Sequence, residues 1–275
     1  MSRLASKFAE LKSAGRKALI PFITAGDPYP AFTLPLLHEM VAAGADIIEL
    51  GVPFSDPMAD GPVIQRASER ALSHHMGLRK VLSMVTEFRK SDQLTPLVLM
   101  GYLNPIEIMG YEAFANAAQR AGVDGALIVD LPPEESYQSA DLFRSREIDQ
   151  IFLLAPNSDS ERIRKMDAIG SGYLYYVSLK GVTGAGHLNT EEVARKIQLI
   201  RENTRLPIGV GFGVKDVETA KTIAGIADGV VVGSALISKI EANLDDPGMA
   251  KQEIIALLTA MRQALDTYSS SGDYK

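Results

Sequence analysis

Eight short apolar runs, separated by amphipathic stretches, constrain what this chain of 275 residues can fold into. Apolar runs that alternate with stretches of helical periodicity indicate the buried strands of a parallel sheet. Eight such units within about 250 residues are the size of a (β/α)8 (TIM) barrel. The alternative is an open doubly wound sheet, which would normally have fewer strands. The predicted strands are Ala18–Thr24, Asp46–Leu50, Leu97–Gly101, Ala126–Val129, Ile151–Leu154, Tyr173–Val177, Ile208–Gly211 and Gly229–Val232.

An extra helix is predicted before the first strand, within residues 1–15, and a short one, Ala235–Glu241, after the eighth. No linker or change of composition divides the chain, so we expect one barrel domain over residues 1–268 and a disordered tail over 269–275. The other predicted helices are Ala31–Ala43, Tyr111–Ala121, Pro133–Arg146, Ser160–Ile169, Thr190–Asn203, Asp216–Ala224 and Met249–Asp266, and Asp27 and Asn157 are expected to act as helix N-caps.

A weak internal repeat supports the barrel. An Ala-Gly pair followed by an aspartate stands before the second, fourth and eighth strands, ending at Asp46, Asp124 and Asp228. In each copy the glycine suits the left-handed conformation that ends many helices.

Composition disfavours several classes of function. The net charge is −6 and the pI is about 5.3, which disfavours nucleic acid and anionic membranes as partners. The absence of cysteine excludes thiol catalysis and disulfides. No apolar run is long enough to span a bilayer, no signal-peptide core is present, and no His or carboxylate cluster has metal-ligand spacing. We therefore expect a cytoplasmic protein without a metal.

The segment from Glu49 to Asp60 carries the strongest chemical signal. Glu49 interrupts an apolar strand just before Gly51, where a carboxylate is costly to bury. The loop that follows adds Asp56 and Asp60. Two carboxylates in different environments can divide acid and base roles. The alternatives are that Glu49 is a salt-bridged structural acid and that Asp60 is an ordinary turn residue.

Glycines on the last three strand–helix loops indicate a phosphate site. Gly184, Gly213 and Gly233 would let backbone N–H groups approach an anion, and the helix beginning near Ser234 would attract negative charge. In barrels this position frequently binds phosphate. The alternative for each glycine is a simple turn. Lys180, just past the sixth strand, could form a Schiff base, although a solvated residue of a flexible lid is favoured.

Four motifs together resemble the tryptophan synthase α subunit family, over about residues 1–268. They are Phe22-Ile-Thr-Ala-Gly-Asp-Pro28, the run from Glu49 through Asp60-Gly-Pro-Val-Ile-Gln65, Gly181-Val-Thr-Gly184 and Gly211-Phe-Gly213. The resemblance implies a (β/α)8 barrel lyase that cleaves indole-3-glycerol phosphate to indole and glyceraldehyde 3-phosphate by a retro-aldol reaction. It also implies an α2β2 complex with a β subunit that alone carries pyridoxal phosphate, so that this chain needs no cofactor.

The resemblance further implies roles for individual residues. Glu49 and Asp60 would be the catalytic pair. The substrate-binding residues would be Phe22, Met100, Leu127, Tyr175, Thr183 and Phe212. The phosphate-binding residues would be Gly184, Gly213, Gly233 and Ser234, and the partner interface would include Phe54, Asp56, Pro57 and Asn104.

Two other functions remain open at this point. One is another phosphate-binding barrel lyase or isomerase, such as a Schiff-base aldolase acting through Lys180. The other is a non-catalytic subunit that binds a partner and keeps a vestigial phosphate site.

Overall fold

Eight parallel strands close into a barrel in the computed structural model, which describes residues 2–177, 190–211 and 213–270. Each strand pairs with its neighbour in sequence, and β1 closes the ring by pairing with β8. This confirms the predicted barrel and excludes the open sheet. The strands are β1 Ala18–Thr24, β2 Ile48–Gly51, β3 Leu97–Gly101, β4 Gly125–Ile128, β5 Asp149–Leu154, β6 Leu174–Val177, β7 Ile208–Gly211 and β8 Gly229–Val232.

Helices surround the barrel and connect its strands. They are α1 Arg3–Ser13, α2 Pro30–Ala42, α3 Pro62–Ser73, α4 Leu78–Arg89, α5 Leu103–Met109, α6 Tyr111–Ala121, α7 Tyr137–Arg144, α8 Ser160–Ile169, α9 Thr190–Arg201, α10 Val217–Ala224, α11 Ser234–Ala242 and α12 Pro247–Ser270. The last helix extends two residues into the expected tail, and residues 271–275 lie outside the described ranges. Within those ranges, no helix is long and apolar enough to cross a membrane.

Three local predictions about helices were wrong. The helix expected over residues 133–146 is divided into a 3-10 turn, Pro133–Glu135, and α7, because the Ser136 hydroxyl turns back to donate to the Pro132 carbonyl at 2.7 Å. The N-cap of α8 is Asp159, whose carboxylate accepts from the Arg162 N–H, and not Asn157. Asp27 does not cap α2, because its carboxylate is held instead by a bidentate ion pair with Arg70.

The aspartates of the internal repeat hold the start of neighbouring strands. Each carboxylate accepts the backbone N–H that begins a strand and also an arginine guanidinium. Asp124, for example, accepts the Leu97 N–H at 2.8 Å and Arg89 at 2.6 Å. The same pattern joins Asp46 to Leu19 and Arg262, and Asp228 to Ile208 and Arg201. We call each such group an aspartate–arginine clasp. The clasps satisfy polar groups at the N-terminal end of the barrel.

The repeat glycines adapt the helix ends to these arginines. Gly44 and Gly122 have φ values of +101° and +85°, as the predicted left-handed cap requires. A Cβ atom on Gly122 would lie 2.9 Å from Cγ of Arg89, so the glycine also leaves room for the arginine stem. The prediction was wrong for Gly225, whose φ is −65°. This third copy has one more residue before its aspartate, and the chain leaves α10 without a left-handed residue.

The barrel interior is filled by side chains from alternate strand positions. Leu4, Phe8 and Leu11 of α1 are buried in the same cluster and close the N-terminal end. Interior residues of the strands include Ile20, Ile47, Val98, Leu127, Ile151, Tyr173, Tyr175 and Val231. The packed N-terminal half leaves the carboxyl ends of the strands as the place for chemistry.

Candidate active site

Five residues expected to serve catalysis or substrate binding share the inward face of the barrel. Phe22, Glu49 and Met100 follow the inward-pointing Ile20, Ile47 and Val98 by two positions, and a strand has a side-chain period of two. Strand register sets Phe22 opposite Glu49 and Met100 opposite Leu127, while Tyr175 lies across the barrel on β6. The fold therefore gathers the carboxylate and the apolar residues around one cavity.

Glu49 is fully buried, with no exposed side-chain surface. The Tyr173 hydroxyl donates to Oε1, and Oε2 has no hydrogen-bond partner among the described residues. No cation in the described part of the chain forms an ion pair with it. Burial raises the pKa of Glu49 from 4.5 to about 8, because desolvation of the carboxylate outweighs the single hydrogen bond. These contacts do not fit the alternative of a salt-bridged structural acid.

Asp60 lies on the loop between β2 and α3. Its backbone N–H donates to the Pro57 carbonyl at 3.0 Å, so the residue does sit in a turn. The carboxylate, however, accepts a hydrogen bond from the Tyr102 hydroxyl at 3.1 Å. Burial raises its pKa from 3.8 to about 6, and this hydrogen bond opposes the shift only partly. Asp60 is thus a second carboxylate with a displaced pKa near neutrality.

Tyr102 is the residue that joins this loop to the barrel. Its hydroxyl accepts the Ala59 N–H at 3.0 Å while it donates to Asp60, and its ring stacks on Phe54 with centroids 5.3 Å apart. Burial and then the charge of Asp60 raise the pKa of Tyr102, so the hydroxyl stays protonated as a donor. The Leu103 N–H donates to Asp130 at 2.7 Å, which fixes the start of α5 beside Tyr102.

A small cavity at the mouth of the barrel is lined by Phe22, Asp60, Met100, Tyr102 and Val129. The carboxylate of Asp60 and the phenol of Tyr102 lie in its wall beside apolar side chains and the hydroxyls of Thr24 and Ser68. A Cβ atom on Gly51 would lie 2.7 Å from Cζ of Phe22. The absence of a side chain at Gly51 therefore leaves room for the ring of Phe22.

Two buried tyrosines lie at the sixth strand, Tyr173 immediately before β6 and Tyr175 within it. Both point into the barrel, Tyr173 towards Glu49 and Tyr175 over Gly211, where any Cβ atom would collide with the hydroxyl. Burial, followed by the charges of Glu49 and Asp60, raises the pKa of Tyr175.

The phosphate-binding residues are described only in part. Gly213 is exposed with a φ of +77°, a conformation that favours glycine. Gly233 is the N-cap of α11, which begins at Ser234 and has no side-chain cap. The N–H groups at the start of this helix, which directly follows the carboxyl end of β8, therefore have no side-chain acceptor from the cap residue. Lys180, Thr183, Gly184 and Phe212 lie outside the described residues.

The expected partner interface lies beside this mouth. Asp56 and Asn104 are exposed, and Phe54 and Pro57 are half-buried. Between them Met58 is 86% exposed, and Ile108 on α5 is 80% exposed. Large apolar side chains that stand in solvent beside a catalytic loop suit a protein contact.

Sequence reasoning placed the segment near Tyr102 at the partner contact but assigned Tyr102 no role beside Asp60, and it gave little preference for the direction of Tyr173. For Tyr173 the period of two on the sixth strand provided a signal, because it has the same parity as Tyr175 and the opposite parity to Tyr176. No comparable signal existed for the contact between Tyr102 and Asp60, which joins loops 42 residues apart.

Comparison with known proteins agrees with this geometry. The profile of the family described as tryptophan synthase alpha chain matches residues 8–266. The chain belongs to the tryptophan synthase alpha chain family. It is 63% identical to the tryptophan synthase alpha chain of Methylococcus capsulatus and 60% identical to that of Thioalkalivibrio sulfidiphilus, in each case over 97% of this chain and 100% of the relative.

Solved structures give the same result. Subunit alpha of tryptophan synthase from Legionella pneumophila superimposes with a TM-score of 0.92 at 46% identity, over 97% of this chain and 99% of that one. A chain of the tryptophan synthase complex from Pyrococcus furiosus matches with a TM-score of 0.80 at 36% identity, over 90% of this chain and 98% of that one. The chain is a carbon–carbon lyase of tryptophan biosynthesis, which cleaves indole-3-glycerol phosphate to indole and glyceraldehyde 3-phosphate.

No group of three or more His, Cys, Asp or Glu side chains within the described residues could hold a metal ion.

Proposed function

We propose that Glu49 is the general acid and base of the retro-aldol cleavage and that Asp60 supports it at the indole nitrogen. The observation that carries this proposal is the buried carboxyl of Glu49, which has a pKa of about 8 and an Oε2 atom without a partner among the described residues. A group whose pKa lies near neutral pH can both donate and accept a proton at the working pH.

The reaction begins with proton transfer from Glu49 to C3 of the indole ring. Because the Tyr173 hydroxyl donates to Oε1, the proton of the neutral acid resides on Oε2. Protonation of C3 makes the ring a cationic electron acceptor. The bond between C3 and the glycerol chain then breaks, and its electron pair returns to the ring. The neighbouring hydroxyl becomes the aldehyde as its proton passes to the Glu49 carboxylate, which restores the acid.

Asp60 stabilises the positive charge of the intermediate. With a pKa of about 6 it is mostly ionised at pH 7, whereas Glu49 is mostly protonated. A carboxylate facing the ring N–H favours the cationic state, and the burial of Asp60 strengthens that interaction. The Tyr102 hydroxyl fixes the direction of the carboxylate.

The remaining predicted residues are proposed to bind the rest of the substrate. Phe22, Met100 and Leu127 support the indole ring together with Phe212, and Tyr175 lies beside the reacting carbons with Thr183. The exposed N–H groups at Gly213, Gly233 and Ser234 bind the phosphate with Gly184. In this proposal the separation between the indole pocket and the phosphate site sets the length of the substrate that fits.

We also propose that the chain acts in the cytoplasm as part of an α2β2 complex. The β subunit would carry pyridoxal phosphate and receive the indole, and this chain would need no cofactor. The exposed Asp56, Met58 and Asn104 support a docking surface at the loop that holds Asp60. Docking of the β subunit would favour the loop conformation in which the carboxylate of Asp60 faces the indole nitrogen.

Replacement of Glu49 by Gln tests the catalytic proposal. Indole release by Glu49→Gln should fall at least about 100-fold while KM changes little, since general acid–base catalysis contributes roughly 100- to 10,000-fold. Glu161→Gln, on the outer face of α8, is the matched control and should match the wild type. Near-wild-type turnover of Glu49→Gln would reject the role. Borohydride trapping of substrate on Lys180 would support the Schiff-base alternative instead.

Replacement of Asp56 by Ala tests the partner proposal. Asp56 is exposed, and its carboxylate is bonded only to Ser55 among the described residues. Stimulation of indole release by the β subunit should therefore weaken several-fold, while the low rate of the isolated chain stays the same. Asp141→Ala, an exposed acid on α7, is the control. Equal losses with and without the partner would assign Asp56 to the active site.

A further inference from the structure

A large cavity lies at the opposite end of the barrel from Glu49. It occupies about 570 Å³ between the end of α1, the α9–β7 loop and the α10–β8 loop. These segments precede β1, β7 and β8, so the cavity opens on the N-terminal face. No step of the reaction proposed above uses this face. A volume of this size suits a small organic ligand.

The charge around this cavity is opposite to that of the whole chain. Five cationic side chains line it, against the single carboxylate of Asp228, although the net charge of the protein is −6. The five are Lys12, Arg16, Lys17, Arg201 and Arg205. Such a concentration of one sign attracts ligands of the opposite sign and raises their local concentration.

Two of the five cations are not engaged in the fold. Arg201 is held by Asp228 at 3.0 Å, and Arg16 by Asp266 at 2.9 Å. Lys12 and Arg205 are exposed, and neither side chain forms an ion pair or hydrogen bond with the described residues. The backbone of Arg205 is nevertheless fixed, because its N–H donates to Asp167 at 2.9 Å. An unpaired guanidinium on a fixed backbone is available to an anion.

Most of the other side chains in the lining are apolar, with the hydroxyl of Thr204 as the exception. The apolar ones are Phe8, Leu11, Leu206, Pro207 and Ile226. An inorganic ion would satisfy the cations but would leave this apolar surface in water. A ligand with an anionic group at one end and an apolar group at the other would satisfy both.

We propose that this N-terminal cavity binds a small organic anion, with a phosphate or carboxylate group held by Lys12 and Arg205 and an apolar group against Leu206 and Ile226. The ring of Phe8 also packs on Tyr173, with centroids 5.6 Å apart, and Tyr173 donates to Glu49. One side chain therefore separates the cavity from the partner of the catalytic carboxyl.

Phenyl phosphate is the probe for this site. Its affinity is measured from the shifts of individual backbone amide signals in 1H–15N NMR spectra, which separates the two ends of the barrel. The amides of Leu206, Gly225 and Ile226 should shift together in the wild type. The variant K12Q/R205Q should weaken the affinity read from these amides about tenfold, which corresponds to about 1.4 kcal/mol. Signals from Gly213 and Ser234, at the catalytic end, should titrate as in the wild type.

The control variant K165Q/K221Q removes two charges from the outer faces of α8 and α10 and should leave the affinity unchanged. Inorganic phosphate and benzyl alcohol should each bind more weakly than phenyl phosphate. The proposal is overturned if the three amides do not shift, if K12Q/R205Q binds like the wild type, or if both double variants lose the same affinity. A lower melting temperature of K12Q/R205Q without a change in affinity would assign these cations to stability alone.

Discussion

Replacing Glu49 by Gln should stabilise the protein while it destroys activity. The carboxyl has a pKa of about 8 in the folded chain and an ordinary pKa of 4.5. At pH 7 folding therefore requires the group to take up a proton that it would otherwise lack. The cost is about 1.36 kcal/mol for each of the roughly 2.5 pH units between 4.5 and 7, or about 3 kcal/mol. A glutamine does not titrate, so Glu49→Gln avoids this cost.

The effect has a definite dependence on pH. Between pH 4.5 and about 8 the folded state binds one more proton at Glu49 than the unfolded state, so the stability of the wild type falls as the pH rises. The advantage of Glu49→Gln is then absent below about pH 4.5, about 1 kcal/mol at pH 5.5 and about 5 kcal/mol above pH 8. The amide oxygen can still accept from Tyr173, and its NH2 group replaces an acid O–H that likewise has no partner among the described residues.

Urea denaturation at about pH 5.5, 7 and 8.5 measures this difference, with circular dichroism and a second probe to detect intermediates. Glu161→Gln is the control for removing a carboxylate. Its side chain is 76% exposed, so the free energy of unfolding should change by less than about 0.5 kcal/mol. The reasoning is refuted if Glu49→Gln is no more stable than the wild type at pH 8.5, or if its advantage does not grow with pH.

Three further predictions follow from the same geometry. The pH profile of kcat/KM should be bell-shaped, rising as Asp60 ionises near pH 6 and falling as Glu49 ionises near pH 8. Asp60→Asn should abolish most activity. A flat profile would contradict these roles. Gly213→Val should raise KM at least about tenfold with a smaller change in kcat. The valine side chain would block the approach of the phosphate, and it would strain the backbone, because φ at this position is +77°. An unchanged KM would mean that the phosphate binds elsewhere. Arg89→Met should destabilise the protein by about 3 kcal/mol in urea titrations, because it leaves the buried Asp124 with Arg3 as its remaining guanidinium and removes a donor from the Gly122 and Thr95 carbonyls. The matched Arg201→Met at a half-exposed clasp should cost less than about 1 kcal/mol, and equal losses would refute the dependence on burial.

Local patterns predicted the strands well, because a strand buried on both faces needs an uninterrupted apolar run. The bounds of β1, β3, β7 and β8 were predicted to the residue. The same rule identified Glu49, since a carboxylate within such a run violates it. No bounds were predicted for helices α3, α4 and α5, which lie in the long segments between β2 and β4.

Contacts between distant segments could not be predicted. Arg262 reaches Asp46 across 216 residues, and Tyr173 reaches Glu49 across 124. An Ala-Gly-x-Asp pattern predicts a turn before a strand, but it contains no information on which arginine will pair with the aspartate. The same limit applies to Tyr102, whose contact with Asp60 depends on how two loops meet at the barrel mouth.

The clasps make the environment of Glu49 informative. Within one barrel, Asp46 and Asp124 are buried, and each accepts both a backbone N–H and an arginine. Glu49 is buried more completely, yet its described partner is one neutral phenol. The fold can therefore compensate a buried carboxylate and does so at the end of the barrel that is packed for stability. At Glu49 no described cation provides this compensation, and the result is a carboxyl whose charge changes near neutral pH. A guanidinium beside Glu49 would stabilise the fold but would lower its pKa and remove the acid that the proposed reaction requires.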